Sequence, residues 1–262
     1  MIIRKSAQEI EKMAAAGSVV ADTIAHVGEQ LEPGITTAEL DRIADDFIAA
    51  RGGVPTSKGY RGYPKAICIS PNAMVVHGIP GAYVVREADL ITIDVGVTLD
   101  GYIADSAYTF GVGEIPAESQ RLLDAGREAL AAGIAQARPG NRVGDISAAV
   151  QRLVESSGFS VVRNLVGHGV GRSYHEDPHI PNFGAEGRGP QLSEGMTIAI
   201  EPMITAGGPD VFVHDDEWSI STEDGSLSCH FEHTVAITAE GPRVLTGAGA
   251  RIGGDREPSL LK

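Results

Sequence analysis

The sequence predicts an α/β (α+β) fold: an antiparallel sheet of pseudo-twofold design with helices on the outside. Three observations lead there. Stretches with apolar residues every three or four positions alternate with short apolar, β-branched runs. The segment EPGITTAELDRIADDFIAARGG (32–53) lies over RPGNRVGDISAAVQRLVESSGF (138–159) at an offset of 106. At an offset of 107, ITID (91–94) lies over IAIE (198–201), which sets Asp94 opposite Glu201. A helix–helix–strands unit used twice has a period far longer than solenoid repeats. The chain therefore reads as a single domain, 1–262, built from two halves at about 1–112 and 113–250, with 251–262 as a flexible tail.

The elements follow in order. Ser6 and Glu9 form a capping-box pattern, and Ile10, Met13, Gly17, Val20, Ile24, Val27 and Leu31 then share one helical face, closed by Pro33-Gly34. Thr36 and Glu39 repeat the pattern before a second helix, lined by Leu40, Ile43, Phe47 and Ile48 and ended by Gly52-Gly53. A third helix covers about 117–137 and stops at Pro139-Gly140; a fourth covers about 144–157 and stops at Gly158. Between the helix pairs, LITIDVGVTLDGYIADSAYTF (90–110) reads as a hairpin whose two-residue loop is Asp100-Gly101. Paired positions then sum to 201, so Asp105 faces Gly96 on the side of the strand that also carries Asp94. Two carboxylates become diagonal neighbours in an apolar strand pair, close enough to share a cation.

Bulk properties narrow the function. A net charge of −14 over 262 residues leaves no basic stripe for a nucleic-acid backbone. No run approaches the roughly 20 apolar residues of a membrane span, and MIIRKS opens no signal peptide. Two cysteines, Cys68 and Cys229, make no disulfide framework. These features point to a reduced, cytoplasmic protein, with a monomer as the default state.

Three further positions extend the acidic pair. Glu201 follows MTIAI, Glu232 sits in CHFEHTVAI, and His168 lies in VGHGVG, whose glycines let the backbone approach whatever the imidazole touches. Asp94, Asp105, His168, Glu201 and Glu232 offer four carboxylates and one imidazole. An oxygen-rich set without thiolate suits Mn, Fe(II) or Co better than zinc. Four negative charges nearly balance two divalent ions, the usual dinuclear arrangement.

Those motifs carry a resemblance. DVGVTLDGYIADSAYTF, GHGVGRSYHEDPHIPNF, IAIEPM, FEHTVAI and the more particular GYRGYPKAICISPNAMVVHGIP (59–80) are similar to type I methionine aminopeptidases over nearly the whole chain. The resemblance implies the pseudo-twofold pita-bread fold, in agreement with the repeat. It implies that Asp105 and Glu232 bridge two metals, Asp94 completes one, and His168 with Glu201 completes the other. Glu201 then serves as general base and acid, His175 contacts the scissile carbonyl, and His77 contacts the scissile amide nitrogen. Tyr60, Tyr63, Cys68, His77, Tyr174, His175 and Trp218 line the methionine pocket or its rim. Tyr174 stands where phenylalanine is expected and Ser57 where some relatives carry cysteine. Asn72 and Ser228 match positions that hold a monovalent cation.

The implied substrate is the amino-terminal methionine of a nascent chain with a small second residue. The zinc-binding or proline-rich extension of longer relatives is missing, so ribosome contact through so acidic a domain is at most transient. Two other readings share the fold. Proline-directed peptidases have the same ligand types but usually carry an extra domain and lack GYRGYPKAICIS. A metal-free binding protein would not need all five ligands.

Overall fold

Capping chemistry sets where the helices start. In α1 (Ala7–Gly28) the Ser6 Oγ accepts from the Glu9 N–H at 3.4 Å, and the Glu9 carboxylate accepts from the Ser6 N–H at 2.9 Å. At α2 (Thr37–Ala50) the forward half of the expected box forms, with Thr36 Oγ1 accepting from Glu39 N–H at 3.2 Å; no return bond from Glu39 occurs among the described residues. Strands β1 (Val54–Pro55), β2 (Cys68–Pro71), β3 (Met74–Val76), β4 (Leu90–Leu99) and β5 (Tyr102–Gly111) follow. A second helix pair, α3 (Ala117–Gln136) and α4 (Val143–Ser156), opens the rest of the chain. It continues through β6 (Ser160–Val161), β7 (Val166–Gly169), β8 (Glu176–Pro181), β9 (Thr197–Ile200) and β10 (Met203–Thr205). The last strands are β11 (Val211–Val213), β12 (Ile220–Thr222), β13 (Ser228–His230), β14 (His233–Thr238) and β15 (Gly241–Val244). The structure is a computed structural model that describes residues 1–247; the tail expected at 251–262 lies outside them.

The central hairpin has the expected register, with Leu99 opposite Tyr102, Gly96 opposite Asp105 and Asp94 opposite Ala107. Asp100 and Gly101 both take positive φ, +50° and +78°, as a tight two-residue loop of this hand requires. β2 pairs with the other edge of β4, bringing Cys68 opposite Asp94. A second sheet runs β15-β14-β9-β7-β8. The two sheets join where β5 meets β14: Glu232 N–H donates to Ala107 O at 2.9 Å, and Thr234 Oγ1 both accepts from Asp105 N–H and donates to Asp105 O. The second sheet thus holds the backbone of a carboxylate on the first.

Each helix pair covers its own sheet. Val20, Ile24, Leu40 and Ile48 pack with Ile91, Ile93 and Val95; Leu122, Ile146 and Val150 pack with Ile198, Ile200 and Val235. Fully buried side chains of this size contribute about 1.5–3 kcal/mol each. Phe47 departs from the expected inner face. It is half-buried, sandwiched by the His26 ring at 4.3 Å and the Arg51 guanidinium at 3.3 Å. Among the described residues no helix is long and apolar enough to cross a membrane.

Candidate active site

With both faces of β4 covered, one by helices, the other must face something that tolerates Asp94. It faces a cavity of about 460 Å³. The cavity gathers Asp94 and Asp105 from the hairpin, His168 from β7, Glu201 from the end of β9, and Glu232 from between β13 and β14. Asp105, His168 and Glu232 form a three-donor cluster whose ligand atoms lie within 4.8 Å of one another, the one such group among the described residues. His168 Nε2 stands 3.8 Å from Asp105 Oδ2 and 3.5 Å from Glu201 Oε1.

The donors fit divalent metal. Five carboxylates line the cavity, Asp94, Asp105, Glu201, Glu217 and Glu232, whereas Arg61 is its one guanidinium and no lysine lines it. Asp94 Oδ1 and Glu232 Oε1 are buried and lack any hydrogen-bond partner. Unpaired buried carboxylate oxygens are costly unless a cation meets them. Burial, then the charge of Asp105, pushes Asp94 and Glu201 well above the usual carboxylate range; Glu232 is raised by the same two causes and by Glu201. Burial raises Asp105 to about 7, less than it otherwise would because the Tyr174 hydroxyl donates to it at 3.4 Å. Burial also holds His168 neutral, lowered to about 4.

Gly167 and Gly169 answer mainly to the neighbouring strands, and a Cβ at Gly167 would also stand 3.3 Å from Cγ of Glu201, which the imidazole faces. A Cβ at Gly167 would meet Ala199 O at 2.4 Å, and one at Gly169 would meet Asp177 O at 2.2 Å. The glycines let β7 pack between β8 and β9, and His168 is presented by that packing.

Above the carboxylates the wall is aromatic. Tyr63 and Trp218 meet edge to face at 5.1 Å, and Trp218 meets His77 at 6.3 Å. His77 itself has φ +58°, a strained conformation for a side-chain-bearing residue. The following Gly78 is pinned by Ser70 Oγ, Ile69 N–H and the Tyr63 hydroxyl. His175 shares a 2.8 Å hydrogen bond between its Nδ1 and the Tyr60 hydroxyl. With the phenol donating, the ring proton sits on Nε2. Burial, then His168, lowers His175 to about 3. Tyr174 Oη also bonds Ser57 Oγ at 3.1 Å, and a Cβ at Gly96 would stand 2.4 Å from that hydroxyl.

Tyr60, Tyr63, Cys68, His77, Tyr174, His175 and Trp218 all line the cavity; Asn72 and Ser228 do not. Those two bond each other beside it, with the Asn72 carbonyl accepting from Ser228 N–H and Oγ at 2.9 and 3.0 Å. Sequence reasoning missed Val76, Leu165 and Met203 on the apolar wall and, more consequentially, His230. His230 precedes Glu232 by two residues in an extended run, the spacing that puts two side chains on one face.

A buried, oxygen-rich donor cluster at the floor of a walled recess, on this sheet frame, defines a metal-dependent hydrolase. The model of metallopeptidase family M24 matches residues 11–239. The methionine aminopeptidase of Clostridium perfringens is 49% identical over 94% of this chain and 99% of its own. The crystal structure of methionine aminopeptidase from Rickettsia prowazekii superposes with a TM-score of 0.93 at 38% identity, covering 94% of this chain and 100% of that one. A prolidase from Pyrococcus furiosus shares the fold at 22% identity and a TM-score of 0.73, with this chain covering 65% of it. The chain belongs to metallopeptidase family M24 and, within it, to the methionine aminopeptidases, whose pita-bread architecture it has.

Proposed function

We propose that the cavity releases the amino-terminal methionine from peptides whose second residue is small. The observation that carries this is the Asp105–His168–Glu232 cluster beneath an aromatic recess that also holds His77 and His175. In this reading Asp94, Asp105, His168, Glu201 and Glu232 would together hold two divalent ions. Such ions supply Lewis acidity and a water acidic enough to ionise near neutral pH.

The chain's own residues do the rest. Glu201, a carboxylate raised by burial, accepts the proton of the attacking water and returns it to the leaving amine. His175, fixed by Tyr60 with its proton on Nε2, donates to the carbonyl oxygen as negative charge develops there. His77 donates to or orients the scissile amide nitrogen from its strained turn. Tyr63, Cys68 and Trp218 wall a recess suited to one unbranched, polarisable side chain. The acidic floor attracts the substrate's free α-amine, which limits cleavage to the first residue.

The donor chemistry favours Mn, Fe(II) or Co over zinc. By resemblance alone, Asn72 and Ser228 would border a single monovalent cation, their mutual contact already engaging the Asn72 carbonyl. A net charge of −14 supports no more than transient ribosome contact, and a cytoplasmic monomer is the default reading. The two helix–helix–strand halves are read as pseudo-symmetric parts of one domain.

Chelation followed by re-addition of Mn, Co or Fe(II) tests the reading, with a Met-Ala-Ser peptide and an Xaa-Pro peptide run in parallel. Metal-dependent methionine release from the first alone is expected. Cleavage of the proline peptide alone would overturn it.

A further inference from the structure

His230 has no part in the reaction as described, yet its surroundings are those of a ligand. It is 2% exposed, and neither ring nitrogen has a hydrogen-bond partner. Its Nε2 lies 3.7 Å from Glu201 Oε2 and 3.8 Å from Glu232 Oε2. Those separations exceed a hydrogen bond. They match two donors that each stand about 2.1 Å from a shared ion, which can be up to about 4.2 Å apart. The Nε2 of the other imidazole is placed similarly, 3.5 Å from the opposite oxygen of Glu201 and 3.8 Å from Asp105, while the His168 Nδ1 is bonded to Gly169 O at 2.9 Å. The Glu201 carboxylate is therefore straddled by two imidazole nitrogens, one at each oxygen.

The backbone supports the same view. Thr109 Oγ1 accepts from His230 N–H and contacts His230 O, both at 2.9 Å. Thr234 clamps Asp105 in the same way, through both backbone groups. Each clamp ties β5 to a strand of another sheet, β13 through His230 and β14 through Thr234, and fixes a residue that faces the cavity. On β10, Met203 lies opposite His230, which holds the imidazole beside Glu201 two residues before it.

We propose that His230 Nε2 is an additional protein ligand of the ion held by His168 and Glu201, giving that ion two imidazoles while its neighbour is bound through carboxylates. This rests on the dinuclear reading above and goes beyond its five-ligand set. The consequence is two chemically unequal sites. A second nitrogen raises affinity for Co(II) more than for Mn(II), since imidazole suits the former and carboxylate the latter.

The wild-type protein loaded with Co(II) and labelled with 15N-histidine provides a direct test by paramagnetic NMR. Two contact-shifted imidazole rings are expected, and His168→Gln identifies one of them. A single contact-shifted ring in wild type overturns the proposal, whether or not any variant folds. His230→Gln should remove the second ring and weaken one of two Co(II) binding events by at least about 10-fold, the scale on which ligand-shell changes act, with a smaller loss for Mn(II). Unchanged Co(II) affinity in a folded His230→Gln protein also overturns it. Wild type that binds no Co(II), or releases no methionine, would instead remove the underlying functional reading.

Discussion

Tyr60 and His175, 115 residues apart, are joined by a 2.8 Å hydrogen bond between the phenol oxygen and Nδ1. With the phenol as donor, the proton of His175 is on Nε2, the nitrogen that can then donate into the recess. Tyr60→Phe keeps the ring contact with Tyr174, at 5.2 Å, and removes the donor. The loss should lower kcat/KM for a Met-Ala-Ser peptide by roughly 2–10-fold, the range of one hydrogen bond. Steady-state kinetics at pH 7.5 check this, and an unchanged kcat/KM would remove Tyr60 from the positioning of His175.

The central hairpin could be read from the chain because turn chemistry and strand alternation agreed. Asp100-Gly101 set the register, and the register alone placed Asp94 and Asp105 on one face. Glu201 and Glu232 were legible for a related reason: several acidic residues inside apolar, β-branched runs are poorly explained by isolated edge positions or ion pairs. His230 was not, because CHFEH looks like ordinary polar spacing until β13 brings it beside β10. The expected role of the glycines around His168 was only part of the account, as their tightest contacts are Ala199 on β9 and Asp177 on β8, with Glu201 a further neighbour of Gly167. Phe47 kept its helical phase but not its burial, since His26 and Arg51 cover it more locally than a core would. What periodicity conveys is which face turns inward; what it omits is the partner that meets it.

Metal affinity should rise with pH. Without an ion, Asp105 sits near 7 against an ordinary 3.8, while His168 near 4 and His230 near 3 are already neutral above pH 6.5. Binding above pH 6.5 therefore expels protons from the carboxylates and not from these histidines. The same shift sets the stability of the chelated protein. A raised folded carboxylate contributes stability below the unfolded value and loses it as pH climbs through the folded one. The lowered histidines act in the opposite sense, but only below about 6.5. From pH 6.5 to 8 the chelated protein should thus lose Tm while the stabilisation gained on adding Mn(II) grows. Calorimetry in two buffers of different ionisation enthalpy, with thermal melts alongside, measures both.

Gly96 reports on the packing of the pocket against the metal ligands. A Cβ there would stand 2.4 Å from Tyr174 Oη and 2.7 Å from its ring carbon. Gly96→Ala must push Tyr174 away from both Asp105 and Ser57, an overpacking cost of about 1–3 kcal/mol. Melting temperature should fall by several degrees, and KM for the peptide should rise because the displaced ring enters the recess. Tyr174→Phe, which drops the hydroxyl but keeps the ring, should leave KM closer to wild type. Equal KM values for Gly96→Ala and wild type would mean the ring has room that the geometry denies.

The loop that carries Tyr174 and His175 is held from the far end of the chain. Lys5 Nζ pairs with Glu176, and the two side chains are 4% and 5% exposed. Glu176 Oε1 also accepts from the backbone N–H groups of Arg172 and Ser173, at 3.0 and 3.2 Å, so one carboxylate ties the loop to itself and to Lys5. Space around the pair is closed, since a Cβ at Gly171 would lie 2.4 Å from Lys5 Cε and 2.7 Å from Glu176 Oε1. Removing one member of a buried pair strands the other charge, at a cost of about 3–5 kcal/mol, whereas neutralising both costs far less. Lys5→Met should therefore lower Tm strongly and reduce kcat, because His175 loses its fixed position. Adding Glu176→Gln should restore most of the Tm, with its amide oxygen still able to accept from the loop N–H groups. A double-mutant cycle on Tm and kcat together decides the matter: recovery of both marks Lys5 as positioning the loop, and recovery of Tm alone would confine Lys5 to stability.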